Sequence, residues 1–178
     1  LVKEYFINSE AVYKSGLQVH DLVEKSRAQI AKLLKVENDE IIFTSGASES
    51  NSLAIKGYAL KNRHKGKHII TSKMEHSSVF NSVKQLEEEF GFEVTYLPVY
   101  HDGKISLDDL KKSMRNDTIL VSIMAVNNEI GSIQKIDEIS KIVHTNAKCK
   151  LHVDAVQGIG KVDLNTKNID MMTITSHK

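Results

Sequence analysis

Ile119-Leu120-Val121-Ser122-Ile123, then Ile136, Ile139, Ile142 and Val143 at helical spacing, then Leu151-His152-Val153-Asp154, form the stretch that decides the fold. The two short runs are apolar almost without interruption, as strands covered on both faces must be, and the segment between them has the period of an amphipathic helix. Strand, helix and strand at this interval imply parallel neighbours joined by a right-handed crossover.

The same rhythm extends in both directions. Upstream, Val79, Val83, Leu86 and Phe90 predict a helix before the strand Val94-Thr95-Tyr96-Leu97, and Ser106-x-x-Asp109 reads as a capping box opening a short helix. Further back, Leu53 to Leu60 predicts a helix before His68-Ile69-Ile70-Thr71. Val19, Leu22, Val23, Ile30, Leu33 and Leu34 predict another before Ile41-Ile42-Phe43, read as a strand. Downstream, Asp170-Met171-Met172-Thr173-Ile174-Thr175 leads to Lys178. The expected fold is α/β, a mainly parallel sheet with helices on both faces, in one domain over residues 1–178. Such sheets bind ligands beyond the carboxyl ends of their strands.

Composition narrows the function classes. The 24 basic and 23 acidic residues give a net charge of +1 and are interspersed, which disfavours a basic patch for nucleic acid or a membrane surface. No run is long enough to span a bilayer, and the start lacks the pattern of a secretory signal. The single cysteine, Cys149, allows no internal disulfide and suits a reducing cytoplasm; flanked by Lys148 and Lys150, it reads as a surface or edge thiol rather than a nucleophile. The chain opens on Leu1 without an initiator Met, so it is expected to be a piece of a longer protein.

Chemically suggestive residues fall at the strand ends. After Phe43 comes Thr44-Ser45-Gly46-Ala47-Ser48-Glu49-Ser50-Asn51, whose small and hydroxylic residues before a helix suit a phosphate; a plain Ser N-cap explains them as well. It has neither a Walker lysine nor a dinucleotide fingerprint. His76, just past a strand end, can stack on an aromatic ligand and handle protons, or be an ordinary loop histidine; with no second His or Cys at ligand spacing, no metal is expected. Asn127-Asn128-Glu129 is a ligand turn or an Asx turn. Asp154 and Lys178 make the most informative pair. A lysine amine can hold the aldehyde of pyridoxal 5′-phosphate, and a carboxylate can keep the pyridine nitrogen protonated; a turn cap and a solvated lysine are the plainer readings.

Five blocks, in order, carry a family resemblance. They are Phe43-Thr44-Ser45-Gly46-Ala47-Ser48-Glu49-Ser50-Asn51, Met74-Glu75-His76-Ser77-Ser78-Val79, Val126-Asn127-Asn128-Glu129-Ile130-Gly131, His152-Val153-Asp154-Ala155-Val156-Gln157 and Ser176-His177-Lys178. From about Asn8 onward the chain resembles the cysteine desulfurases of the class V aminotransferase group, in the branch serving iron–sulfur assembly and nitrogenase maturation. The resemblance implies the large domain of a fold-type I pyridoxal-phosphate transferase. It also implies that Lys178 bonds the cofactor and shuttles a proton, and that His76 stacks on the ring as an acid–base group. Asp154 would pair with the ring nitrogen, Gln157 would bond the phenolic oxygen, and Asn128 would lie near the substrate carboxylate. Ala47, Ser48, Thr175 and His177 would hold the phosphate.

By the same resemblance, L-cysteine is the substrate, alanine and an enzyme persulfide are the products, and a homodimer delivers sulfur to a scaffold or acceptor protein. Ser48 stands where threonine is usual, Ser52 replaces an asparagine, and Thr175-Ser176 replaces Ser-Gly or Ser-Ala; each keeps the needed groups. The family's opening Asn-Ala-Ala-Thr segment and its sulfur-accepting cysteine beyond the lysine are absent, so the fragment alone is expected to release no sulfide. The alternatives are a selenocysteine lyase or aminotransferase of the same class, or a non-catalytic piece that keeps the fold.

Overall fold

The computed structural model describes residues 6–178, in two compact units, Leu1–Phe43 and Thr44–Lys178. In the first, α1 (Lys14–Leu34) buries Ala31 and Leu34 and ends where Lys35 takes a left-handed conformation, φ 57°. The run Ile41-Ile42-Phe43 forms no strand. Its neighbour is a side chain instead of a ladder: the Arg27 guanidinium donates to the Ile41 carbonyl and lies 4.9 Å from the centroid of the Phe43 ring. Ile42 and Phe43 stay 69% and 47% exposed, so β-branched composition alone was not enough to recruit the run to a sheet.

The second unit holds five parallel strands in the order β2-β1-β3-β4-β5. These are β1 (His68–Ser72), β2 (Glu93–Leu97), β3 (Thr118–Met124), β4 (Lys150–Asp154) and β5 (Met171–Thr173). The decisive stretch forms β3, α6 (Ile136–Val143) and β4, with Val121 opposite Leu151 and Met124 opposite Asp154. Every residue of β1 and β3 is buried, which accounts for their largely apolar composition, and the buried polar side chains His68, Thr71 and Ser122 are hydrogen-bonded.

Two cores flank the sheet. On one side Leu110 of α5 (Leu107–Ser113) and Ile136, Ile139 and Val143 of α6 pack with Val121, Ile123, Leu151 and Val153. On the other, Val79, Val83 and Leu86 of α4 (Ser77–Phe90) pack with Ile55, Ala59, Ile69 and Leu120. Ser106 caps α5 through the Asp109 N–H, as its sequence pattern implies. The single helix expected around Leu53 to Leu60 is one continuous path in three parts, α2 (Ala47–Ser52), a π-helical turn (Leu53–Gly57) and α3 (Tyr58–Asn62). Cys149 departs from its reading as a surface or edge thiol. It is buried in the first core, and burial, reinforced by Asp170, pushes its thiol up to about 12, so it is an inert filler.

Candidate active site

Parallel strands bring their carboxyl ends to one rim. There a cavity of about 470 Å³ is lined by residues from five separate segments, among them Ala47, Ser48, His76, Asn128, Asp154, Gln157, His177 and Lys178. Thr175 alone among the expected site residues does not line it; its hydroxyl lies 2.8 Å from His177 Nδ1.

The phosphate-like corner is built by α2. Its N-cap is Gly46, no side chain caps it, and Gly46, Ala47 and Ser48 all line the cavity. A serine cap, the plain alternative, is not what forms: the Ser45 hydroxyl and N–H both donate to Glu49, at 2.6 and 2.7 Å, and lower that carboxyl's pKa. An uncapped helix start beside hydroxyls offers free N–H donors to an anion.

Asp154 ends β4, is 5% exposed, and is held at both oxygens. Oδ1 accepts from the Val156 N–H at 3.1 Å and Oδ2 from Asn51 Nδ2 at 2.8 Å. The asparagine pair divides its work. Asn127 makes the Asx turn, accepting from the N–H groups of Glu129 and Ile130, and so leaves Asn128 on the cavity wall. Gln157 accepts from Lys161 Nζ at 3.0 Å. Lys178 is exposed on the cavity wall.

Sequence reasoning passed over three residues that bear on the site, Asn51 on the cavity wall and Ser78 and Glu75 bonded to the cavity residues Asn51 and Met124. Asn51 is fully buried and in line with Ile55 and Ala59 at intervals of four, so a polar residue in an otherwise apolar stripe was the available signal. Ser78 accepts from its amide. Glu75 turns its carboxyl inward, where Oε1 accepts from the Ser72 hydroxyl at 2.6 Å and the Met124 N–H at 3.0 Å while buried Oε2 has no partner. The residue as a whole is only half-buried, but its carboxyl is shut away from water, and that burial raises its pKa to about 8 against the opposing pull of those two donors. Beneath lies His152, bridged between the Ser122 and Thr173 hydroxyls at 2.8 and 3.1 Å; burial lowers its pKa to about 4 and keeps it neutral.

A parallel sheet with helices on both faces, carrying a carboxylate, an imidazole, a bare helix start and a lysine around one cavity, defines a class, and the class V aminotransferase family model matches residues 2–178. The chain belongs to that family. It is 47% identical, over 99% of its length, to the cysteine desulfurase IscS of Dictyoglomus turgidum, covering 45% of that protein. Among solved structures it is similar to a NifS-like protein (TM-score 0.93, 37% identity, 98% of this chain and 48% of that one). It is also similar to SspA in complex with cysteine (TM-score 0.89, 38% identity, 97% and 50%). The chain thus spans about half the length of the relatives it matches.

Proposed function

We propose that the protein carrying this chain is a pyridoxal-phosphate-dependent cysteine desulfurase, that residues 1–178 are part of its cofactor-binding domain, and that the cavity is the cofactor site. The observation that supports this most is that Asp154 and Lys178, 24 positions apart in sequence, line one cavity together with the uncapped start of α2. The donor set suits the cofactor: a buried carboxylate for a ring N–H, backbone N–H groups and the Ser48 and His177 side chains for a phosphate, and an amine for an aldehyde. When bound, the cofactor supplies an electron sink for the bonds at the substrate's α carbon.

The residues of the chain do the rest. Asp154, fixed at both oxygens, would hold the ring nitrogen's proton, and Gln157 would bond the phenolic oxygen. His76 would stack on the ring, and Asn128 would orient the substrate carboxylate. Lys178 would anchor the cofactor and then move a proton at the α carbon. L-cysteine would give alanine, its sulfur passing to a thiolate; buried Cys149 is not that thiolate. Sulfur would go on to a scaffold or acceptor protein from a homodimer. Among the described residues no helix is long and apolar enough to cross a membrane, and we place the protein in the cytoplasm, where thiols stay reduced.

The test uses the full protein, loaded with cofactor and given L-cysteine with a thiol reductant. Equal amounts of alanine and sulfide are expected, with at least a 100-fold loss in Lys178→Ala, as befits removal of a covalent catalyst. Transamination to a keto acid without sulfide, or turnover of selenocysteine alone, would contradict the proposal.

A further inference from the structure

We propose that Asn51 and Ser78 form a positioning relay that ties Asp154 to His76 and fixes the His76 ring with its hydrogen on Nε2. The Asn51 amide nitrogen is 2.8 Å from Asp154 Oδ2 and 2.9 Å from Ser78 Oγ, so its two hydrogens serve both. The opposite amide orientation would set two oxygen acceptors face to face, so the carboxylate dictates which end of Asn51 points at it. Ser78 Oγ, already accepting from Asn51, must spend its own hydrogen elsewhere, and His76 Nδ1 lies 2.8 Å away. The backbone N–H of Ser78 also donates to Nδ1, at 3.2 Å. Two donors on one nitrogen make it an acceptor. A neutral imidazole then carries its hydrogen on Nε2.

The relay has a direction. Charge on Asp154 orients Asn51, Asn51 orients the Ser78 hydroxyl, and that hydroxyl selects the tautomer of a ring on the cavity wall. With Nδ1 engaged inside the protein, Nε2–H is the polar group His76 offers to whatever occupies the cavity, so the ring meets it as a hydrogen-bond donor. Asn51 Oδ1 is buried without a partner, so the two bonds made by its amide nitrogen are kept at the expense of its oxygen. This role for His76 in the reaction rests on the cofactor reading above; the tautomer itself does not.

The measurement is the pair of ring nitrogen ¹⁵N shifts of His76 in the full, cofactor-free protein, in mildly alkaline buffer. Wild type is expected to show Nε2 protonated and Nδ1 bare. Ser78→Ala is expected to lower the Nε2–H to Nδ1–H ratio about five-fold, the effect of losing one ordinary hydrogen bond. Ser78→Thr, which keeps the hydroxyl, should restore it. Asn51→Ala should lower the ratio with Asp154 intact; if that variant does not fold, Ser78→Ala at its half-buried position carries the test. A wild-type hydrogen on Nδ1, or a Ser78→Ala ratio equal to wild type, overturns the relay. A relay that stands while pyridoxal phosphate fails to bind would overturn the cofactor reading alone.

Discussion

Asp154→Asn is expected to weaken retention of pyridoxal phosphate by roughly 100-fold while leaving the fold intact. β4 carries Asp154 at its last position, paired with Met124 on one side and Thr173 on the other, and the carboxylate is then fixed by the Val156 N–H and the Asn51 amide. Neither oxygen needs to reorganise to receive a cationic ring nitrogen. A hydrogen bond to a charged group contributes about 1.5–3 kcal/mol, and at about 1.4 kcal/mol per decade the upper end is two decades of affinity. An amide at position 154 has the same shape but a single acceptor, so it keeps the Asn51 bond through its oxygen and turns its NH2 towards the Val156 N–H; a stability loss of about 1–3 kcal/mol, short of unfolding, is expected beside the loss of charge. Fluorescence titration of the apoprotein with cofactor, alongside thermal unfolding, checks both halves. Equal affinity in wild type and Asp154→Asn would mean that this carboxylate does not face the ring.

Glu75→Gln is expected to change the pH dependence of stability strongly. Burial raises the folded carboxyl's pKa to about 8 from its ordinary value of 4.5, so the native state binds the proton more tightly than the unfolded chain does. A raised carboxyl contributes stability that is fully present below the unfolded pKa and is lost as pH rises through the folded one. His152 acts in the opposite sense. Its folded pKa is lowered to about 4 from 6.5, so its contribution is present above 6.5 and is lost as pH falls towards 4. Between about 4.5 and 6.5 the two slopes nearly cancel, leaving Glu75 to set an alkaline decline up to about pH 8.

Glutamine keeps an acceptor for the Ser72 hydroxyl and the Met124 N–H but cannot ionise. The stability of Glu75→Gln relative to wild type is therefore expected to grow by roughly 4 kcal/mol between about pH 5 and pH 9. Urea unfolding at a series of pH values reads this directly. A difference that does not vary with pH would show that Glu75 is already ionised in the fold.

How much of this was legible beforehand depends on what each residue type can reveal. The run from Ile119 to Asp154 declared its strands and helix because apolar residues buried on both faces leave no room for another period. The same signal failed at Ile41-Ile42-Phe43, because Arg27 occupies the carbonyl that a neighbouring strand would need, and that pairing lies 14 residues away. Asp154, His76 and Lys178 stood out because their chemistry is unusual at strand ends. Asn51, Ser78 and Glu75 did not, since an amide, a hydroxyl and a carboxyl are common on surfaces. Only the fold turns them inward, and a bond such as Asn51 to Asp154 spans 103 positions. Cys149 was misjudged for the converse reason: two flanking lysines suggested solvent, yet alternation at the start of β4 carries its thiol into the core.

The central claim is that Lys178 and Asp154 serve one cofactor, and the most direct test is chemical. The full protein is incubated with pyridoxal phosphate, reduced with borohydride, digested and mapped by mass spectrometry. A single reduced adduct is expected, on Lys178, and it should become much weaker in Asp154→Asn. An adduct spread over other lysines, or one on Lys178 indifferent to the loss of Asp154's charge, would contradict it.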